Sequence, residues 1–308
     1  MKSTLSLNHA PQEDLVGCFL EKQKSYGQLI EDKLDQYSQS RSGCPDVLTA
    51  AIRHSLLGGG KRLRPLLVLL ASEACGGQAV EALPAACAIE MVHTYSLIHD
   101  DLPSMDDDDL RRGQPSCHKK FGEANAILAG DALLTQAFEV LASDLPVEVA
   151  SKCCLELALA AGAQNMVGGQ VDDLAAENRN DLDAGELEEI HRRKTGAMIR
   201  GSLRLGALVA KSPDKLFKNL GFFGEKIGLA FQIVDDLLDF SGDATKMGKS
   251  LGKDAQSQKL TYVRLYGADE SRLKAEELIS EAIGIADEFG ENGQPLIGLA
   301  QFILNRTY

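Results

Sequence analysis

Several features that would place a chain at once are missing here. The seven cysteines are odd in number and form no CxxC pair. This argues against a disulfide framework and a zinc site, and for free thiols in a reducing cytoplasm. Basic residues are in the minority, 32 Lys and Arg against 45 Asp and Glu, for a net charge of −13. A nucleic-acid binder needs the opposite. No window of about 18 uncharged apolar residues occurs, so no membrane span is expected. The opening MKSTLSLNHAPQEDLVGCFL brings Glu13 and Asp14 early and has no sustained apolar run, unlike a secretory signal. Alternating strands of five or more residues, a GxSxG nucleophile turn and the GxxxxGK[ST] phosphate loop are also absent.

What is present is helical periodicity. The 308 residues, 44% of them hydrophobic, are enough for a sizeable core. After a flexible tail over 1–12, helices are expected at about 13–36, from Pro45-Asp46 to the Gly58-Gly59-Gly60 stop, at 66–75, and from Pro84 into an acidic stretch. Further helices are expected over 121–143, 147–167, 186–210 and 216–240, then a loop over 241–257 and shorter C-terminal helices. No linker and no tandem repeat interrupts them. The expectation is a single all-α domain over 13–308, roughly ten or more helices around a central cavity.

Two aspartate clusters stand out. His99-Asp100-Asp101-Leu102-Pro103-Ser104-Met105-Asp106-Asp107-Asp108-Asp109-Leu110-Arg111-Arg112 places six carboxylates within ten residues. As a solvated acidic loop it would be unremarked. As an oxygen-only ligand set it suits a hard ion such as Mg²⁺, completed by substrate phosphates. The second cluster decides between these: in Phe231-Gln232-Ile233-Val234-Asp235-Asp236-Leu237-Leu238-Asp239 the carboxylates are set into apolar sequence. Asp235 and Asp239 share a helix face, and ionised carboxylates in apolar surroundings need a partner or a metal. Two such clusters facing each other would hold Mg²⁺ and a diphosphate.

Cations accompany them. Gly58-Gly59-Gly60-Lys61-Arg62-Leu63-Arg64-Pro65 combines a glycine turn with three positive side chains, a phosphate-compatible arrangement. Arg111 and Arg112, Arg192-Arg193-Lys194-Thr195-Gly196, and Lys249, Lys253 and Lys259 flank the acidic segments. His93 and His99 lie beside the first cluster without a nucleophile to serve. The chemistry implied is metal-assisted departure of a leaving group with no covalent enzyme intermediate.

With these motifs in this order, the chain resembles the trans-isoprenyl diphosphate synthases over nearly its whole length, most closely the bacterial farnesyl-forming branch. The resemblance implies an all-α isoprenoid-synthase fold, a homodimer, and head-to-tail joining of isopentenyl diphosphate to an allylic diphosphate. By matching motif, Asp100, Asp106 and Asp235 would ligate three Mg²⁺ ions, supported by Asp101, Asp236 and Asp239. Arg111, Lys194, Thr195, Gln232 and Lys249 would grip the allylic diphosphate; Gly60, Lys61, Arg64, His93 and Arg112 would hold isopentenyl diphosphate. Tyr95, with Ser96 beside it, resembles the residue that floors the chain pocket in farnesyl-forming enzymes, so a C15 product is expected over C20 or C10. A terpene cyclase, whose second metal motif is of the Asn/Ser/Glu type, fits less well. So does a catalytically silent partner subunit, because both clusters are complete. Because Asp100 and Asp106 would diverge on a straight helix, Pro103 is expected to break it.

Overall fold

The computed structural model describes residues 12–176, 179, 183–242 and 261–306. The expected tail lies outside them up to residue 11, with Gln12 already opening the first helix, and so does the lysine-bearing loop with Lys249, Lys253 and Lys259. In chain order the helices are α1 (Gln12–Tyr37), α2 (Asp46–Leu56), α3 (Leu63–Ala74), α4 (Leu83–Asp100), α5 (Cys117–Phe121), α6 (Glu123–Asp144), α7 (Val147–Ala161), α8 (Met166–Ala176), α9 (Ala184–His191), α10 (Ala197–Val209), α11 (Asp214–Ser241), α12 (Tyr262–Tyr266), α13 (Ala268–Ala286) and α14 (Gln294–Asn305). Among the described residues the only strands are a two-residue hairpin, β1 (Leu110–Arg111) with β2 (Gln114–Pro115). The all-α reading holds.

The centre is built from helices apolar on nearly every side. In α3, Pro65 to Ser72 are all buried, and α4 buries Pro84 to Val92 without a break. A helix with no polar face can only be an interior one. Both pack against α10, which also lies on α7 and α11, so α10 is the pillar joining the helices that carry the two aspartate clusters. Truncating a buried leucine such as Leu67 or Leu203, both 0% exposed, would cost about 2–5 kcal/mol.

Three expected boundaries shift. The span 147–167 is two helices, because Gly162 leaves helical backbone and the Asn165 amide donates to the Leu159 carbonyl (2.8 Å), closing α7. The span 186–210 is divided by a π-helical turn over Arg192–Gly196, and its first helix begins at a capping box of Asp183 and Glu186. Gly122, with φ 84°, separates α5 from α6. Helix α6 is also long and apolar enough to cross a membrane by composition, mean hydropathy 1.3. It carries Asp131 and Glu139 and packs one face along α4, where His99 meets the Ile127 carbonyl at 3.1 Å.

Candidate active site

Helix α4 stops at Asp100, and the chain folds back at once. The Asp106 N–H donates to the Asp100 carbonyl (2.9 Å) and the Asp108 N–H to the Asp101 carbonyl (3.2 Å), so the turn containing Pro103 returns Asp106 to Asp100. The helix breaks, as the spacing required. Burial pushes the Asp100 carboxyl up to about 6; Lys194 and Arg111 pull it down, while Asp106 and Asp101 push it up further. Asp101 is buried and takes the Arg111 guanidinium, whose Nε–H donates to Oδ1 at 2.8 Å. Arg111 also reaches Asp108 at 3.3 Å.

The hairpin separates the two arginines. Arg112 and Gly113 form its two-residue turn, both at positive φ (53° and 76°), as tight hairpin turns require. Arg111 is thereby directed to Asp101, while Arg112 donates to the Gly59 carbonyl. Its guanidinium lies so close over Gly60 that a Cβ there would sit 2.6 Å from the guanidinium carbon. Only glycine fits.

Around this contact the expected isopentenyl-side residues gather. Arg64 is within 3.4 Å of His93 Nε2. Burial first, then Arg64 and Arg112, hold His93 well below the usual histidine range, so it is neutral. A groove of about 360 Å³ runs past Gly60, Lys61 and Arg62, walled by Lys24, Gly27 and Glu31 of α1.

The π turn carries Lys194 and Thr195. Such a turn holds one residue more than an α-helical turn and often marks a functional site. It is clamped by glycines: a side chain at Gly169 would strike the Lys194 backbone, and a Cβ at Gly228 of α11 would lie 3.1 Å from Gly196 Cα. Helix α8 brings partners the motif reading missed. Asp173 accepts from Lys194 (2.6 Å), and Asp172 pairs with Arg193. The Gln170 amide, one turn earlier, is buried with neither polar atom paired. The signal was legible in Gly168-Gly169-Gln170-Val171-Asp172-Asp173, where paired glycines precede paired carboxylates in apolar sequence.

On α11 the second cluster divides. Asp236 accepts from the Tyr262 N–H (2.7 Å), securing the start of α12. Asp235 pairs with Arg306, just beyond α14, at 3.2 Å; that guanidinium also lies 5.1 Å over the Phe231 ring. Asp239 and Gln232 are half-buried on the same helix. Tyr95 is buried at 8% exposure, edge-on to His99 with ring centroids 5.7 Å apart. The Ser96 hydroxyl donates back to the His93 carbonyl (2.9 Å).

The donor set suits Mg²⁺. It consists of carboxylates alone, and burial and the nearby Asp106 leave Asp100 short of positive charge. Asp107, Asp109 and His118 also present donor atoms within 4.8 Å of one another, although Asp109 pairs with Lys119 at 2.7 Å. These two aspartates are exposed, as loop surface.

An all-helical bundle with paired aspartate clusters and a basic glycine turn defines the prenyl diphosphate synthase class. Residues 45–293 match the polyprenyl synthetase family, and the chain belongs to it. It is 46% identical over 257 residues to the farnesyl diphosphate synthase of Bacillus subtilis (strain 168), covering 82% of this chain and 86% of that one. It is 44% identical over 283 residues to a geranylgeranyl diphosphate synthase of Cyanophora paradoxa, covering 91% and 94%. Among solved structures, an FPP/GFPP synthase from Zymomonas mobilis in its apo form superposes with a TM-score of 0.84 at 35% identity, covering 94% of this chain and 99% of that one. The chain is a prenyltransferase of this family.

Proposed function

We propose that the protein joins isopentenyl diphosphate to dimethylallyl and then geranyl diphosphate, releasing (2E,6E)-farnesyl diphosphate. The return of Asp106 onto Asp100, with Tyr95 buried on the same helix, carries the reading. Asp100, Asp106 and Asp235 would hold Mg²⁺, three ions per site, with Asp101, Asp236 and Asp239 behind them. Bound there, Mg²⁺ supplies the positive charge that stabilises the departing diphosphate.

The chain's own groups do the rest. Lys194, Arg111, Thr195, Gln232 and Lys249 orient the allylic diphosphate. Lys61, Arg64 and Arg112 grip the isopentenyl diphosphate over Gly60, beside a neutral His93 that hydrogen-bonds without adding charge. Tyr95 ends the apolar pocket, which keeps water from the carbocation. The final proton, released as the C–H bond next to the cation becomes the new double bond, passes to the departed diphosphate.

Product length is the finer part of the proposal, since relatives with farnesyl and geranylgeranyl names are about equally similar. Tyr95 is what favours C15. Chromatography of the product made from dimethylallyl and isopentenyl diphosphates, with and without Mg²⁺, tests it. A mainly C20 product would overturn the chain-length reading; no product with Mg²⁺ would overturn the function.

We also place the enzyme in the cytoplasm as a homodimer. Exposed apolar pairs one helical turn apart, Leu155/Leu159 on α7 and Val167/Val171 on α8, with Ile127 and Leu128 on α6, support a partnered face.

A further inference from the structure

Arg62 has no part in the roles assigned above, although it lies between Lys61 and Arg64. Its surroundings are unlike those of its neighbours. The side chain is 5% exposed, and the guanidinium is hydrogen-bonded on every nitrogen. Nε–H donates to Glu31 Oε1 of α1 (2.6 Å), and Nη2 to Glu31 Oε2 (3.3 Å). Nη1 donates to Glu90 Oε1 of α4 (2.6 Å), a carboxylate itself 1% exposed. Nη2 also donates to the Leu56 carbonyl, at the end of α2 (2.7 Å), an acceptor that has no partner within its own helix. Its own carbonyl accepts from Leu66 N–H (3.1 Å), the first bond of α3. One planar fork thus joins the ends or faces of four helices.

The backbone at Arg62 is left-handed, φ 47° and ψ 38°. A residue with a Cβ is strained there and persists only where its surroundings hold it. The contact chain explains what that achieves. With Arg62 fixed, the two preceding glycines take φ 84° and 133°. That conformation offers the Gly59 carbonyl to Arg112 and leaves the space over Gly60 that the guanidinium fills. Glu90 adds the compensating charge: it lies within electrostatic reach of Arg62, Arg64 and Arg112. Without it, three cations would crowd one buried corner.

We propose that Arg62, held by Glu31 and Glu90, is a positioning residue for isopentenyl diphosphate. It touches no substrate and acts by fixing the Gly59-Gly60-Lys61 backbone and the Arg112 contact. The inference rests on the reading of this turn as the isopentenyl diphosphate side. A lysine keeps the charge but cannot span Glu31, Glu90 and the Leu56 carbonyl together, so Arg62→Lys tests position apart from charge.

The experiment measures KM for each substrate, saturated kcat and thermal midpoint for wild type, Arg62→Lys, Glu31→Gln and the double variant. Calorimetric titration with isopentenyl diphosphate alone accompanies the kinetics. Arg62→Lys should raise the isopentenyl KM about tenfold and Glu31→Gln about threefold, with the allylic KM within about twofold; the double variant should be no worse than Arg62→Lys. If Glu31→Gln instead tightens isopentenyl binding, Arg62 is a direct ligand released from its carboxylate, and the proposal fails. It also fails if both KM values and kcat worsen together in step with the thermal midpoint, which is a structural role only. Wild-type protein that binds no isopentenyl diphosphate in the titration would instead remove the functional reading beneath it.

Discussion

The two halves of the site handle charge in opposite ways. At the basic turn, the half-exposed Glu31 and the buried Glu90 pair with Arg62, and the turn beside it is tied to both helices that carry them. At the aspartate side, the groups assigned to metal and diphosphate are paired with one another or with near neighbours: Asp101 with Arg111, Lys194 with Asp173, and Asp235 with Arg306. The first arrangement is preorganised, so binding costs little rearrangement there. On the proposed function, the second exchanges partners as ligand and metal arrive. In a net-acidic chain, internal pairing holds a dense set of carboxylates together before any ion binds.

The largest effect should come from breaking the aspartate side at Asp100, whose carboxyl is pushed up to about 6 by burial. Asp100→Asn keeps the shape but removes the charge, and kcat should fall about 10³-fold with substrate affinity on the isopentenyl side little changed. Steady-state kinetics with each substrate varied checks this. A loss below tenfold would mean that the clamp does not centre on α4.

Next is Tyr95, the proposed stop for the growing chain. Tyr95→Ala should shift most of the product beyond C15, read by chromatography. An unchanged C15 profile would show that another residue ends the pocket.

The support behind the aspartate side can be probed by acid. Burial holds the His191 imidazole down at about 4, and its ring is stacked on Tyr262 at 6.4 Å. The unfolded chain takes up this proton near pH 6.5, the folded chain only near 4. Stability should therefore be lost as pH falls from about 6.5 to about 4, by up to about 3 kcal/mol. Denaturation midpoints across that range should fall less steeply in His191→Gln. Equal slopes would remove His191 from the account.

The smallest effect belongs to the exchange of partners. Arg306→Gln takes one cation from Asp235, so half-saturation by Mn²⁺, followed by electron paramagnetic resonance, should drop about threefold, while the metal-free protein melts slightly earlier. Weaker Mn²⁺ binding would place Arg306 among the groups that help the ion.

Much of this was legible in the sequence. Apolar runs such as Leu66–Leu70 announce interior helices, and the break after Asp100 followed from spacing and Pro103. The side chains of Arg111 and Arg112 go to different partners, Asp101 and the Gly59 carbonyl, because a hairpin turn sends them apart. The partners were not legible. Lys194 finds Asp173 21 residues away and Arg62 finds Glu31 and Glu90 31 and 28 residues away; such pairs depend on how helices dock, not on local pattern. The π turn escaped for a related reason. Its sequence is acceptable to an ordinary helix, and only packing against Gly169 and Gly228 shows that the extra residue is accommodated.

The Arg62 joint also bears on the order of assembly. A guanidinium that needs α1, α2 and α4 around it cannot be desolvated by any one of them alone, since an ionised group buried with half its partners is costly. Its full set of partners is therefore in place only when these helices are docked together. A chain with α1 misplaced would keep its glycine turn in water, its cations hydrated and its backbone free to leave the left-handed region. The shape of the glycine turn is thus a readout of whether the first four helices have docked together.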